Sequence, residues 1–140
     1  MNIRHGELNI ELPDEWLMDA EVIELVGKDL KYVVNKNVFP RRELFEVCVD
    51  DVAPVQRSAG VSIFNFESET KRTARDRVVS ILCAFRSGAE LPPVEVVALP
   101  DGKAYRYKLV AGVHRFYCSV AVGFSLVPAV RGFDWESLDQ

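Results

Sequence analysis

Nowhere does this chain hold the ~18 consecutive apolar residues that a membrane-spanning helix requires. Its opening, MNIRHGELNIELPDEW, also lacks the apolar core of a secretory signal. Histidine occurs only 2 times, so a zinc site is not expected. The cysteines Cys48, Cys83 and Cys118 are odd in number, far apart and embedded in apolar runs. They read as buried free thiols in a reducing compartment rather than as a disulfide framework. Basic charge is short as well: 17 Lys and Arg stand against 21 Asp and Glu, a net charge of −4. That balance gives no support to a general affinity for nucleic acid or anionic lipid. The expectation these absences leave is a cytoplasmic protein with neither a membrane nor a nucleic-acid partner.

What is present is one domain's worth of core-forming sequence. The chain has 140 residues, 49% of them hydrophobic, and that is enough to bury a real core. Residues 1–40 read as an N-terminal arm packed on the domain and residues 41–133 as the domain itself. Residues 134–140 form a short acidic tail, within which Trp135 is expected to pack back. In the arm, Leu8, Ile10 and Leu12 alternate with polar residues, the period of a half-buried strand. Pro13, Asp14 and Glu15 then open a brief helix through Trp16, Leu17 and Met18. Trp16 is read as the anchor of the arm. The arm covers either the domain or a subunit interface, and the second case is a homodimer. Tyr32, Val33 and Val34 make a further short apolar stretch.

In the domain, Leu44–Val49 reads as a strand with Phe45, Val47 and Val49 on one face. Asp50 and Asp51 end it as a solvated turn, and Val52–Arg57 follows as a loop. Val61–Phe66 reads as a strand or a pocket-lining loop. Thr73 and Asp76 fit a capping box, and Ala74, Val78, Ile81, Leu82 and Phe85 then recur at helical spacing. Gly88 and Pro92-Pro93 stop that helix. Lys71, Arg72, Arg75 and Arg77 crowd its start, either as a solvated basic face or with one or two of them on an anion. Val94–Leu99 and Ala104–Val110 form a hairpin around Pro100-Asp101-Gly102-Lys103, with Tyr105, Tyr107 and Leu109 on one face. A second helix is expected from Val113 to Val122, its core side made by Phe116, Tyr117, Val120 and Ala121. Leu126–Val130 closes the domain as a strand, and Pro128 argues for an edge or a strand end.

The chemistry concentrates at Val110-Ala111-Gly112-Val113-His114-Arg115, where a strand turns into a helix. The first amides of a helix have no intrahelical acceptor, and the helix dipole adds partial positive charge there. His114 can donate and titrate near neutral pH, and Arg115 offers a fork matched to phosphate oxygens. Together these make a ready site for a phosphate or carboxylate.

The order helix, Leu91-Pro92-Pro93-Val94-Glu95-Val96-Val97, hairpin, Gly112-Val113-His114-Arg115, helix, Gly123, Val127-Pro128-Ala129-Val130 resembles the ParB/sulfiredoxin superfamily over roughly Leu44 to Gly132. The fold implied is α+β, a small mixed sheet with helices packed on it, plus the arm. In that superfamily the turn binds nucleotide phosphates, a role the resemblance carries to Gly112, Val113, His114 and Arg115. Sulfiredoxins add a Lys and a Ser from the preceding helix, whose counterparts here are Arg77 and Ser80. The departures are specific. Val113 occupies the position of the sulfiredoxin nucleophilic cysteine, so transfer through a thiolate is not expected there, and Cys118 one turn further does not replace it. The second nucleotide motif and helix-turn-helix of ParB-type partition proteins do not follow, so centromere binding is not expected either. Serine kinases of the superfamily read Asp-Gly-x-His-Arg, but here Ala111 stands for the Asp. A base would then come from Asp50 or Asp51, or from Glu67 or Glu69. Relatives with a nuclease label imply a metal-binding acid cluster that the spacing does not assemble.

The function expected is therefore a nucleotide- or phosphate-binding domain. As an enzyme it would be a phosphotransferase or nucleotide hydrolase in which Arg115 stabilises developing charge. The cofactor expected is a nucleoside triphosphate with Mg²⁺, and the partner is that nucleotide or another small phosphorylated ligand. The alternative is a non-catalytic interaction or nucleotide-switch module.

Overall fold

A computed structural model describes residues 1–22, 29–55 and 74–132. The architecture is α+β. It opens with a hairpin of β1 (Asn2–His5) and β2 (Leu8–Glu11), in which Ile3 faces Ile10 across the antiparallel pair. β2 is the strand expected from the Leu8 to Leu12 alternation. β1 was not expected, because its inward positions are Ile3 and a histidine, His5, both buried. Pro13 is the N-cap of α1 (Asp14–Asp19), with Asp14 and Glu15 in the first turn where the helix dipole favours acids. Trp16 is half-buried against the core, as an anchor would be.

β3 (Val33–Val34) pairs in parallel with β5 (Glu90–Leu91), a ladder of two residues that ties the arm to the segment after α2 (Ala74–Ser87). The main sheet is four strands. β4 (Leu44–Cys48) runs antiparallel to β8 (Leu126–Arg131), which runs parallel to β6 (Val94–Ala98), which in turn is antiparallel to β7 (Tyr107–Ala111). α3 (Val113–Ala121) connects β7 to β8. α2 buries the five residues its periodicity selects (Ala74, Val78, Ile81, Leu82 and Phe85) together with Ala84.

Three details correct the sequence reading. β8 is an interior strand, not an edge. β6 pairs with it only from Ala129 onward, so Pro128 lies where β8 still has one neighbour and its missing N–H leaves the β6 ladder intact. β7 begins at Tyr107, leaving Tyr105 in the connection, because the Arg106 amide donates to Asp51 O at 2.9 Å instead of extending the strand. The segment after Asp51 is correspondingly more than a loop: Val52 bridges to Tyr107, and Ala53 N–H donates to Tyr107 O at 2.9 Å. Finally, Cys118 and Ser119 are fully buried on α3 whereas Val120 is half-buried. That helix is enclosed on more sides than a simple amphipathic stripe implies.

One apolar cluster joins all parts: Ile10, Leu12 and Leu17 from the arm, Leu82 and Phe85 from α2, Phe116 and Tyr117 from α3, and Val47, Val96 and Val127 from the sheet. Each large side chain buried there contributes roughly 1.5–3 kcal/mol. The cluster holds a polar chain at its edge. His5 Nε2 lies 3.0 Å from Val49 O, which can only accept, so Nε2 carries the proton. His5 Nδ1 therefore accepts from Tyr117 Oη at 2.9 Å, and that hydroxyl accepts from Val55 N–H at 3.0 Å. Among the described residues no helix is long and apolar enough to cross a membrane.

Candidate functional site

β7 ends at Ala111, and the chain must turn sharply to enter α3 beneath the sheet. Gly112 makes that turn with φ 90° and ψ 33°, a left-handed conformation that side chains with a Cβ resist. A Cβ there would also sit 3.0 Å from Val94 Cγ1 and 3.2 Å from Val94 Cα, so the strand entry after Pro92-Pro93 packs directly on the turn. Gly112 O accepts the first bond of the helix from Phe116 N–H at 2.9 Å. The amides of Val113, His114 and Arg115 thus precede the intrahelical ladder, and Gly112 has no side chain to cap them.

Opposite this turn, α2 presents Arg77, Ser80 and Ile81, spaced i, i+3 and i+4 on one helix face. The two helices enclose a cleft of about 430 Å³ lined by those three residues, by Gly112, Val113, His114 and Arg115, and by Leu91 and Pro92. All six residues singled out from the sequence thus border one cleft: Gly112, Val113, His114, Arg115, Arg77 and Ser80. Arg77 and His114 are half-buried and Ser80 is exposed. A larger cavity, about 540 Å³, lies between Tyr32–Val34, Leu44–Glu46 and Phe124–Leu126. Its walls are mainly apolar, whereas the smaller cleft gathers the groups that recognise charge.

Arg115 is held more tightly than the sequence suggests. Its Nη2 donates to Pro93 O at 3.3 Å, and its Nε is buried with no hydrogen-bond partner among the described residues. Beside it the Tyr32 hydroxyl donates to Pro92 O, the carbonyl next to the one that Arg115 uses. Burial pushes the Tyr32 phenol up to about 12, and the nearby Arg115 charge opposes that rise only in part. The folded state therefore keeps a proton that the unfolded chain loses near pH 10, and stability falls as pH rises through that window. The loss at the upper end is about 2–3 kcal/mol. Urea midpoints of wild type and Tyr32→Phe at about pH 9 and about pH 11.5 check it, since the variant should show a smaller alkaline drop.

Other candidates lie elsewhere. Arg75 is paired with Asp19 at 2.7 Å and Asp76 at 3.1 Å, which turns it toward α1 instead of the cleft. Asp50 and Asp51 sit in a 3₁₀ turn (Val49–Asp51) and do not line the cleft. Lys71, Arg72, Thr73, Glu67, Glu69, Gln56, Arg57, Val61–Phe66, Trp135 and the acidic tail fall outside the described residues. Among the described residues no cluster of His, Cys, Asp or Glu could hold a metal ion. Cys118 is fully buried, and burial drives its thiol far up, away from a nucleophilic thiolate. Cys48 and Cys83 are free and half-buried, more open than expected.

The sequence reading missed Tyr32 and the wall made by Ile81, Leu91 and Pro92. Ile81 had been assigned wholly to the core stripe. The Pro92-Pro93 entry was a usable signal for the wall, since it fixes the carbonyls that Tyr32 and Arg115 use. No family model, no curated protein and no solved structure matches this chain.

Proposed function

We propose that the chain is a phosphate- or nucleotide-binding domain whose anion sits on the Gly112–Arg115 turn. The observation that carries this reading is convergence: a helix start with uncapped amides, two guanidiniums, an imidazole and a hydroxyl border one cleft. Each charge-assisted bond from such groups is worth about 1.5–3 kcal/mol. A cleft of about 430 Å³ is in the size range of small-molecule sites, and Leu91, Pro92 and Ile81 supply an apolar wall for the rest of the ligand. The likeness of the Gly-Val-His-Arg turn to the ParB/sulfiredoxin superfamily favours a nucleotide, working in a reducing cytoplasm.

The described residues fit the phosphates of a nucleoside triphosphate, but they offer no carboxylate ligands to its Mg²⁺ in the cleft. No catalytic step is assigned for that reason, and the reading is one of binding. Occupancy would act by changing the shape or partner affinity of the domain, a second copy of the chain being the simplest partner.

A thermal-shift panel of ATP, ADP, CTP, GTP and inorganic phosphate, with and without Mg²⁺, tests the reading. A ligand at ~100 times its Kd should stabilise the native state by about 2.7 kcal/mol. Arg115→Ala is expected to weaken the responding ligand about tenfold or more. No response to any of the five would count against the cleft as an anion site.

A further inference from the structure

Building on the oxyanion reading of the Gly112 cleft, we infer that Tyr32 of the N-terminal arm is a positioning residue for Arg115 and sets the cleft's affinity for phosphate. Tyr32 is fixed at both ends. Its ring packs on Phe85 with centroids 5.5 Å apart, and its hydroxyl donates to Pro92 O. The β3–β5 ladder, Val33 beside Glu90 and Val34 beside Leu91, anchors the residues that follow it to the segment that leads into Pro92. The Arg115 guanidinium lies near enough for its charge to act on the Tyr32 phenol. The guanidinium itself donates Nη2 to Pro93 O, and Nη2 lies 3.0 Å from where a Cβ of Gly112 would be. The guanidinium is thus seated against the start of α3 and on Pro93 O, one residue from the carbonyl that Tyr32 of the arm fixes.

The chemistry of the clamp matters. A carboxylate beside the arginine would neutralise the charge that an anion needs. The Pro93 carbonyl orients the fork, and with only a neutral phenol beside it the charge stays uncompensated. An unclamped arginine keeps its rotamer entropy, part of which a ligand must remove. A clamped one has lost that freedom before the ligand arrives, which raises affinity by preorganisation.

Calorimetric titration with inorganic phosphate and with ATP, on wild type, Tyr32→Phe, Arg115→Ala and the double variant, tests the inference. Tyr32→Phe keeps the ring on Phe85 and is expected to weaken phosphate binding roughly three- to tenfold. In the Arg115→Ala background the same substitution should change affinity by less than about twofold. A merely structural role for Tyr32 would weaken both backgrounds alike and overturn the inference. Arg115→Lys gives an independent route, because it keeps the charge and loses the fork. It should bind more weakly than wild type, and equal affinity would count against positioning. Wild-type binding with Tyr32→Phe unaffected overturns this inference alone. No binding by wild type overturns both it and the oxyanion reading.

Discussion

Gly112→Ala is expected to destabilise the protein by about 3 kcal/mol and to abolish anion binding together with the turn that supports it. Two costs combine. The alanine must hold φ near 90°, and its Cβ must share space with Val94 Cγ1 at 3.0 Å and Val94 Cα at 3.2 Å. The second of these is backbone, which cannot rotate away. Gly123→Ala separates the two terms, since Gly123 has φ 88° but nothing within 4 Å of an added Cβ. It should cost only about 1–2 kcal/mol, the conformational share alone. Urea midpoints at unchanged m-value measure both variants. Equal losses would show that the Val94 contact relaxes freely, and a loss below about 1 kcal/mol for Gly112→Ala would contradict the turn described here.

The second large effect is expected outside the cleft lining, in the buried polar chain at His5. His5→Ala removes a ring packed on Phe116, with centroids 5.2 Å apart, and the donor to Val49 O. It also takes away the acceptor of the Tyr117 hydroxyl. Cavity and unsatisfied polar groups together should cost about 2–4 kcal/mol. Tyr117→Phe leaves His5 Nδ1 and Val55 N–H without this hydroxyl and should cost about 1–3 kcal/mol. The two residues form one network, so the double variant should lose less than the sum of the singles. Strict additivity would mean that the hydroxyl and the imidazole act independently.

His5 also shows where the sequence stops being legible. α2 and α3 could be read because their apolar residues repeat at helical spacing, and burial follows that repeat at Val78, Ile81, Leu82, Phe85, Phe116 and Tyr117. The strand Asn2–His5 could not, because an inward histidine breaks the apolar alternation and only its distant partners, Val49 O and Tyr117, make burial acceptable. The same holds for β3 and β5, each two residues long and stabilised by pairing remote in sequence. Pro128 misled for a related reason. A proline's ban on donating applies to one side of a strand at one residue, and β6 joins β8 only after it.

The candidate site was legible at its chemistry and illegible at its support. Gly112, His114 and Arg115 are near neighbours in the chain, so local pattern was enough for them, whereas Arg77 and Ser80 came from the superfamily resemblance. The support of Arg115 is Pro93 O, next to the Pro92 carbonyl that Tyr32 fixes, brought in by tertiary packing that no local period encodes.

The central claim, an oxyanion site at the start of α3, is tested most directly by following backbone amide resonances while inorganic phosphate, and then ATP, is titrated in. The account predicts that the amides of Val113, His114 and Arg115 shift together with Arg77 and Ser80, along one saturable curve. Saturable shifts confined to the apolar cavity around Val33, Phe45 and Leu126, or no saturable shift at the Gly112 turn, would contradict it.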